Sequence, residues 1–146
     1  MPEHLPLDVY TAAQAARLGG CTPSQLDAWR RVGLVTPGER GGYSSRDLVA
    51  LRMVSALLAE GVPTRRIRRA VDALLHAGEA PASLVLVDEG DTVLACRDDG
   101  QVLDALRDGQ LALFVPVHRL TRDVDADVRV FVAERASFVD AISARG

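Results

Sequence analysis

No lysine occurs in this 146-residue chain, so all seventeen basic residues are arginine. Arginine stays charged and offers a planar fork of donors suited to phosphate and guanine. The missing lysine reads first as the imprint of a GC-rich genome. Only two cysteines are present, Cys21 and Cys96, 75 positions apart. That spacing gives neither a disulfide framework nor a metal cluster, and both read as small buried hydrophobes. The three histidines, His4, His76 and His118, lack metal-ligand spacing. No apolar run approaches the ~18 residues of a membrane helix. The opening Met1–Tyr10 carries Pro2, Glu3, Pro6 and Asp8 and does not read as a secretion signal. A cytoplasmic protein with no membrane contact is expected. Enzyme signatures are missing too: no phosphate loop, no Gly-x-Ser-x-Gly elbow and no His-Glu-x-x-His helix. No catalytic residue, cofactor or metal is therefore assigned. Asp88, Asp91, Asp98 and Asp99 read as turn residues rather than as a cation site.

What remains is an ordinary globular mixture, 48 % hydrophobic and 25 % charged. The net charge of −3 hides an asymmetry. Residues 1–78 hold ten arginines and seven acids, whereas residues 79–146 hold seven arginines and thirteen acids. A seam falls at Gly78–Ser83, where Gly78 suits a helix end and Pro81 cannot continue one. Two domains are expected, 1–78 and 79–146. The second is small for an independent core and should gain burial from the first or from a second copy of itself.

The first part reads as four helices. Thr11 with Gln14, and Thr22 with Pro23 and Gln25, are start signals. Leu26, Trp29 and Val32 are expected to line the inner face of the second helix, and Gly33 stops it. The run Thr36–Gly42 is a Gly/Pro turn. Ser44 caps a third helix with the stripe Leu48, Leu51, Val54, Leu57, Leu58. Thr64 caps a fourth with Ile67, Ala70, Val71, Leu74, Leu75. The second part reads as ββαβα. A hairpin joins Leu84–Asp88 to Thr92–Cys96, and a short helix carries Val102, Leu103 and Leu106. A strand follows at Leu111–Val117. An amphipathic helix then carries Val128, Phe131, Val132, Arg135, Phe138, Val139 and Ile142. These seven are the candidate partner or dimer interface; covering the sheet is the other use, and the two are compatible. The fold class is α+β.

Two short capped helices joined by a Gly turn form a helix-turn-helix signature. The wider order is more specific. Tyr10-Thr11 with Ala15-Ala16, then TPSQLDAWRRVGLVTPGERGGYSSRDLVALRMV, then LLAEGVPTRRIRRAVDAL together resemble the MerR family of bacterial transcription regulators. The resemblance covers roughly residues 9–76 and is nearest to actinobacterial members with a Gln-Leu-Asp-x-Trp second helix. It implies a winged helix-turn-helix bound to double-stranded DNA. The second helix, Pro23–Val32, would enter the major groove with Thr22, Ser24, Gln25, Asp27, Ala28, Arg30 and Arg31 available to it. The loop Thr36–Tyr43 would be a wing contacting DNA through Arg40 and Tyr43, with Arg46 following. The Val62–Arg66 corner would bring Thr64, Arg65 and Arg66 to phosphates. Helix N-termini and arginines suit those tasks chemically.

Departures from the family pattern are specific. Asp27 and Ala28 stand where many members have Arg and an aromatic residue. A carboxylate repels phosphate but can accept from a cytosine amino group. The long dimerising helix of the family is expected to stop near Gly78, and a lone Cys96 gives no support to metal sensing. Tyr43 has a second reading as packing for the wing root, and the arginines at 65–69 a second reading as a solvated helix face. The resulting expectation is a sequence-specific, homo-oligomeric DNA-binding regulator. An antitoxin-like component is the alternative, with residues 79–146 binding a partner protein and DNA binding autoregulatory. A small-molecule sensor with a pocket between the sheet and Phe131/Phe138 is a third.

Overall fold

The computed structural model describes residues 9–38, 41–76, 82–87, 93–107 and 112–145. The element order is α1 (Ala12–Gly19), α2 (Pro23–Arg31), α3 (Ser45–Ala59), α4 (Thr64–His76), β1 (Ser83–Val87), β2 (Val93–Cys96), α5 (Asp99–Arg107), β3 (Ala112–Val115) and α6 (Val117–Arg145). The fold is α+β, with the expected ββαβα order in the second half.

Local chemistry sets the first three helix starts. Thr11, Thr22 and Ser44 each accept from the backbone N–H three residues on, and Gln14, Gln25 and Asp47 return a bond to the cap N–H. Two orphan donors are satisfied at each start. Gly20 closes α1 at φ 75° and Gly33 follows α2 at φ 79°, a left-handed backbone that favours glycine. Thr64 differs from expectation. It is the first residue of α4, and the Pro63 carbonyl accepts from Arg66 and Ile67. Proline has no N–H to leave unsatisfied at that position.

The sheet runs β2-β1-β3 and both pairings are antiparallel. Central β1 is buried along its whole length. Leu84 and Leu86 turn to the helices and join the main core. Val85 turns the other way, onto Cys96 and Val102 of α5. The main core is continuous across both halves. It unites Leu26, Leu51, Ile67 and Leu74 of the helices with Leu84, Val115, Val117, Val124 and Phe131. The second half thus gains its burial from the first half of the same chain.

α6 corrects an expectation. It begins at Val117, eleven residues before Val128, and extends 29 residues. At 1.5 Å per residue that is about 43 Å. Val117 and Val124 lie at the core, and the Val117 end is held where His118 N–H donates to the Ala82 carbonyl at 2.8 Å. Charged contacts fix α6 across the helices. Arg17 pairs with Glu134 at 2.9 Å. Arg52 bonds the Leu18 carbonyl and pairs with Asp127.

Phe131, one of the seven candidate interface residues, is buried. It is 7 % exposed and meets Tyr10 edge-on at 6.3 Å between centroids. The Arg17 and Arg135 guanidinium groups sit 5.9 and 5.7 Å from its ring centre. Its ring contacts are to Tyr10 and Arg17 of the N-terminal segment and to Arg135 of α6. Val128 and Val132 pack partly buried beside that core. The side chains of Phe138, Val139 and Ile142 lie outside the described residues.

Candidate nucleic-acid interface

The second helix is anchored by its apolar face. Leu26 and Trp29 are buried as expected, but Val32, at the C-cap, is 51 % exposed; Thr22, Ser24, Gln25, Ala28, Arg30 and Arg31 are exposed. Thr22 and Gln25 are already engaged. Thr22 Oγ1 accepts from Gln25 N–H at 3.1 Å, and Gln25 Oε1 accepts from Thr22 N–H at 2.9 Å. The Gln25 amide N–H groups remain for a further acceptor.

Asp27 is held between two arginines. Its Oδ1 is 2.7 Å from Arg30 and its Oδ2 is 2.7 Å from Arg31. The Arg30 hydrogen bond, followed by the charges of Arg31 and Arg30, holds the Asp27 carboxyl below its ordinary range. Arg30 is raised in turn by that hydrogen bond. The cluster carries one net positive charge and its side chains are partly open to water. The signal for this was in the sequence, because residues three and four apart on a helix are neighbours.

Beyond α2 the chain turns at Gly33, and α4 closes over the turn. The Arg68 guanidinium donates to the Val32 carbonyl. Leu34 and Val35 are buried, and Gly38 then accepts from and donates to the returning strand through Gly41 and Gly42, each at 2.8 Å. Arg40, expected at the tip of this wing, lies outside the described residues. Tyr43 is inside rather than on the surface. It is 3 % exposed, and its backbone pairs with Tyr10 at 2.8 and 2.9 Å. Desolvation pushes its hydroxyl pKa up. The packing role is the one the structure gives it. A cleft of about 270 Å³ separates α2 from this loop, bordered by Asp27, Arg30, Pro37, Gly41 and Tyr43.

Arg46 is also displaced from the expected surface. It is half-buried, and its Nη1 donates to the Leu75 carbonyl at 3.4 Å, so it faces the end of α4. Thr64 and Arg65 are exposed and Arg66 is half-buried, all at the opening turn of α4. Both thiols are pushed up, Cys21 by burial and Cys96 by burial and then Asp98. They stay protonated near neutrality and are poor nucleophiles. Among the described residues no group of three or more His, Cys, Asp or Glu is arranged to hold a metal. No described helix is long and apolar enough to cross a membrane.

Comparison with known proteins bears on this surface. Residues 10–74 match the family model described as MerR HTH family regulatory protein. An uncharacterized HTH-type transcriptional regulator of Mycobacterium bovis is 33 % identical over 144 residues, covering 92 % of this chain and 64 % of that protein. A Mycobacterium tuberculosis protein of the same description matches equally. A putative heat shock protein HspR of Streptomyces coelicolor is 38 % identical over 69 residues, 44 % of this chain and 46 % of that protein. The chain therefore spans just under two thirds of the length of the mycobacterial relatives.

Proposed function

From the MerR-type helix-turn-helix domain that residues 10–74 form, we propose that this chain is a sequence-specific DNA-binding transcriptional regulator and not an enzyme. The observation that carries the reading is the two-sided second helix. Leu26 and Trp29 fix its inner face, and its outer face offers short polar groups and two arginines. On this reading α2 lies in the major groove. Ser24, Gln25 and Ala28 face base edges, and Arg30 and Arg31 exchange Asp27 for phosphate oxygens. Thr64, Arg65 and Arg66 at the start of α4, and Arg40 on the wing, meet the backbone.

Residues 1–78 carry the DNA contact, and residues 79–146 carry oligomerisation, effector or partner binding. The acidic balance of the second part disfavours contact with DNA. A protein contact there is supported by the outer face of the sheet. Leu94 and Phe114 flank Val85 in register and are 37 % and 44 % exposed. A homodimer would present two second helices to two half-sites.

The test is fluorescence anisotropy on DNA from upstream of the chain's own gene, against a scrambled duplex, over a salt series. Preference for the upstream DNA near physiological salt is expected. The paired change Arg65→Gln and Arg66→Gln should lower the slope of log K against log salt by about 1.8, at about 0.9 per phosphate contact. Equal, weak binding to both duplexes would overturn sequence-specific recognition.

A further inference from the structure

A second cavity lies where α3, α4 and α6 meet. It holds about 180 Å³ and is lined by Ser45, Arg46, Val49, Leu74, Thr121 and Asp125. Val49 and Leu74 are buried and give it an apolar wall. Opposite charges stand on its sides, Arg46 from α3 and Asp125 from α6. Among the described residues no ion pair joins them. Arg46 has one long bond, to the Leu75 carbonyl. Its planar fork keeps further donors for an acceptor in the cavity.

We propose that this cavity binds a small apolar α-amino acid, because Arg46 and Asp125 line one pocket as an unjoined pair of opposite charges with a hydrophobic wall beside them. The ligand carboxylate takes the Arg46 fork. The first turn of α3 adds a favourable field for an anion. The ligand ammonium faces Asp125 on the α6 side of the cavity. Thr121 Oγ1 donates to the Val117 carbonyl at 3.0 Å. Its lone pairs are therefore oriented to accept, and the ammonium has protons to give. A branched aliphatic side chain then covers Val49 and Leu74. The volume lies below the usual range for drug-sized ligands and suits a compact metabolite. Its walls come from both halves of the chain, and α3 begins directly after the wing loop. An occupant would therefore bear on the segment that precedes Ser44.

The experiment is isothermal titration calorimetry of the full chain, with no DNA present, so its outcome is independent of the DNA-binding reading. The probes are L-leucine and L-valine. The controls are isocaproate and isoamylamine, which keep the leucine skeleton but lack the ammonium and the carboxylate respectively. L-leucine or L-valine should bind at least about tenfold more tightly than either control. Asp125→Asn should bring L-leucine down to the level of isocaproate, and Arg46→Gln down to the level of isoamylamine. Asp125 is exposed, so its variant should keep the native circular dichroism spectrum and serve where Arg46→Gln fails to fold. Absence of binding by both amino acids at millimolar concentration would overturn the proposal. So would isocaproate binding as tightly as L-leucine, or a folded Asp125→Asn variant that binds L-leucine unchanged.

Discussion

Arg68 on α4 donates from its guanidinium to the carbonyl of Val32, the residue that ends α2. The last carbonyls of a helix have no partner within it, and a cation there also suits the helix field. Residues 36 positions apart are thereby joined, and α4 sets how α2 leaves the body of the protein.

Arg68→Ala should loosen α2 without unfolding the chain. The expected cost is about 1 kcal/mol of stability, the usual scale of one hydrogen bond. Binding to the preferred DNA should fall more than binding to a scrambled duplex, because orientation matters more for base contacts than for phosphate contacts. Equal losses on both duplexes would count against a positioning role.

Asp27 should titrate below its ordinary value of 3.8 in a carboxyl NMR titration of the folded protein. A depressed folded-state pKa stabilises the fold above the unfolded value. That stabilisation is lost as pH falls through the lower folded value. Asp27→Asn should therefore flatten the acid limb of a stability-versus-pH curve measured near and below 3.8. The same change releases Arg30 and Arg31 and adds one positive charge. Non-specific DNA affinity at low salt should rise with it.

Gly19→Ala should cost about 1–3 kcal/mol in urea unfolding, the usual scale for overpacking. A Cβ on Gly19 would lie 2.7 Å from the Leu51 Cβ, so α1 and α3 would have to separate. Gly20→Ala is a useful contrast. It meets no atom within 4 Å but sits at φ 75°, so its cost is conformational rather than steric.

Phe131→Ala should cost about 3–5 kcal/mol, as large aromatic truncations in a core do. It removes the ring held by Tyr10, Arg17 and Arg135. Tyr10→Phe should be close to neutral or slightly stabilising in the same assay. The Tyr10 hydroxyl is buried without a hydrogen-bond partner among the described residues. Deleting an unsatisfied buried group removes a desolvation penalty.

The features legible in the sequence were local ones. Thr11, Thr22 and Ser44 announce their helices through partners three residues away, and the structure has all three boxes. The buried face of α2 follows from Leu26 and Trp29 at helical spacing. The turn at Gly33 follows from the glycine. The start of α6 was hidden because Arg122, Asp123, Asp125 and Asp127 dilute the stripe of Val117, Val124 and Phe131. Pro116 also read as a strand end, which it is, without showing that a helix begins at the next residue. Tyr43 has two readings in the sequence, wing contact and packing of the wing root, and Arg46 only the surface one, for a different reason. Their environments come from Tyr10 and Leu75, 33 and 29 positions away. Nothing in their own neighbourhood names those partners.

The link between α1 and α6 has a consequence for how the molecule is made. Arg17 and Glu134 are 117 positions apart, and Tyr10 and Phe131 are farther still. A ribosome releases the N-terminal helices first, at about 5–20 residues per second. The segment that covers Tyr10 then follows several seconds later. During that interval the nascent N-terminal half presents an uncovered apolar flank. Nascent chains of this protein should accordingly recruit chaperones until α6 emerges, and then release them together.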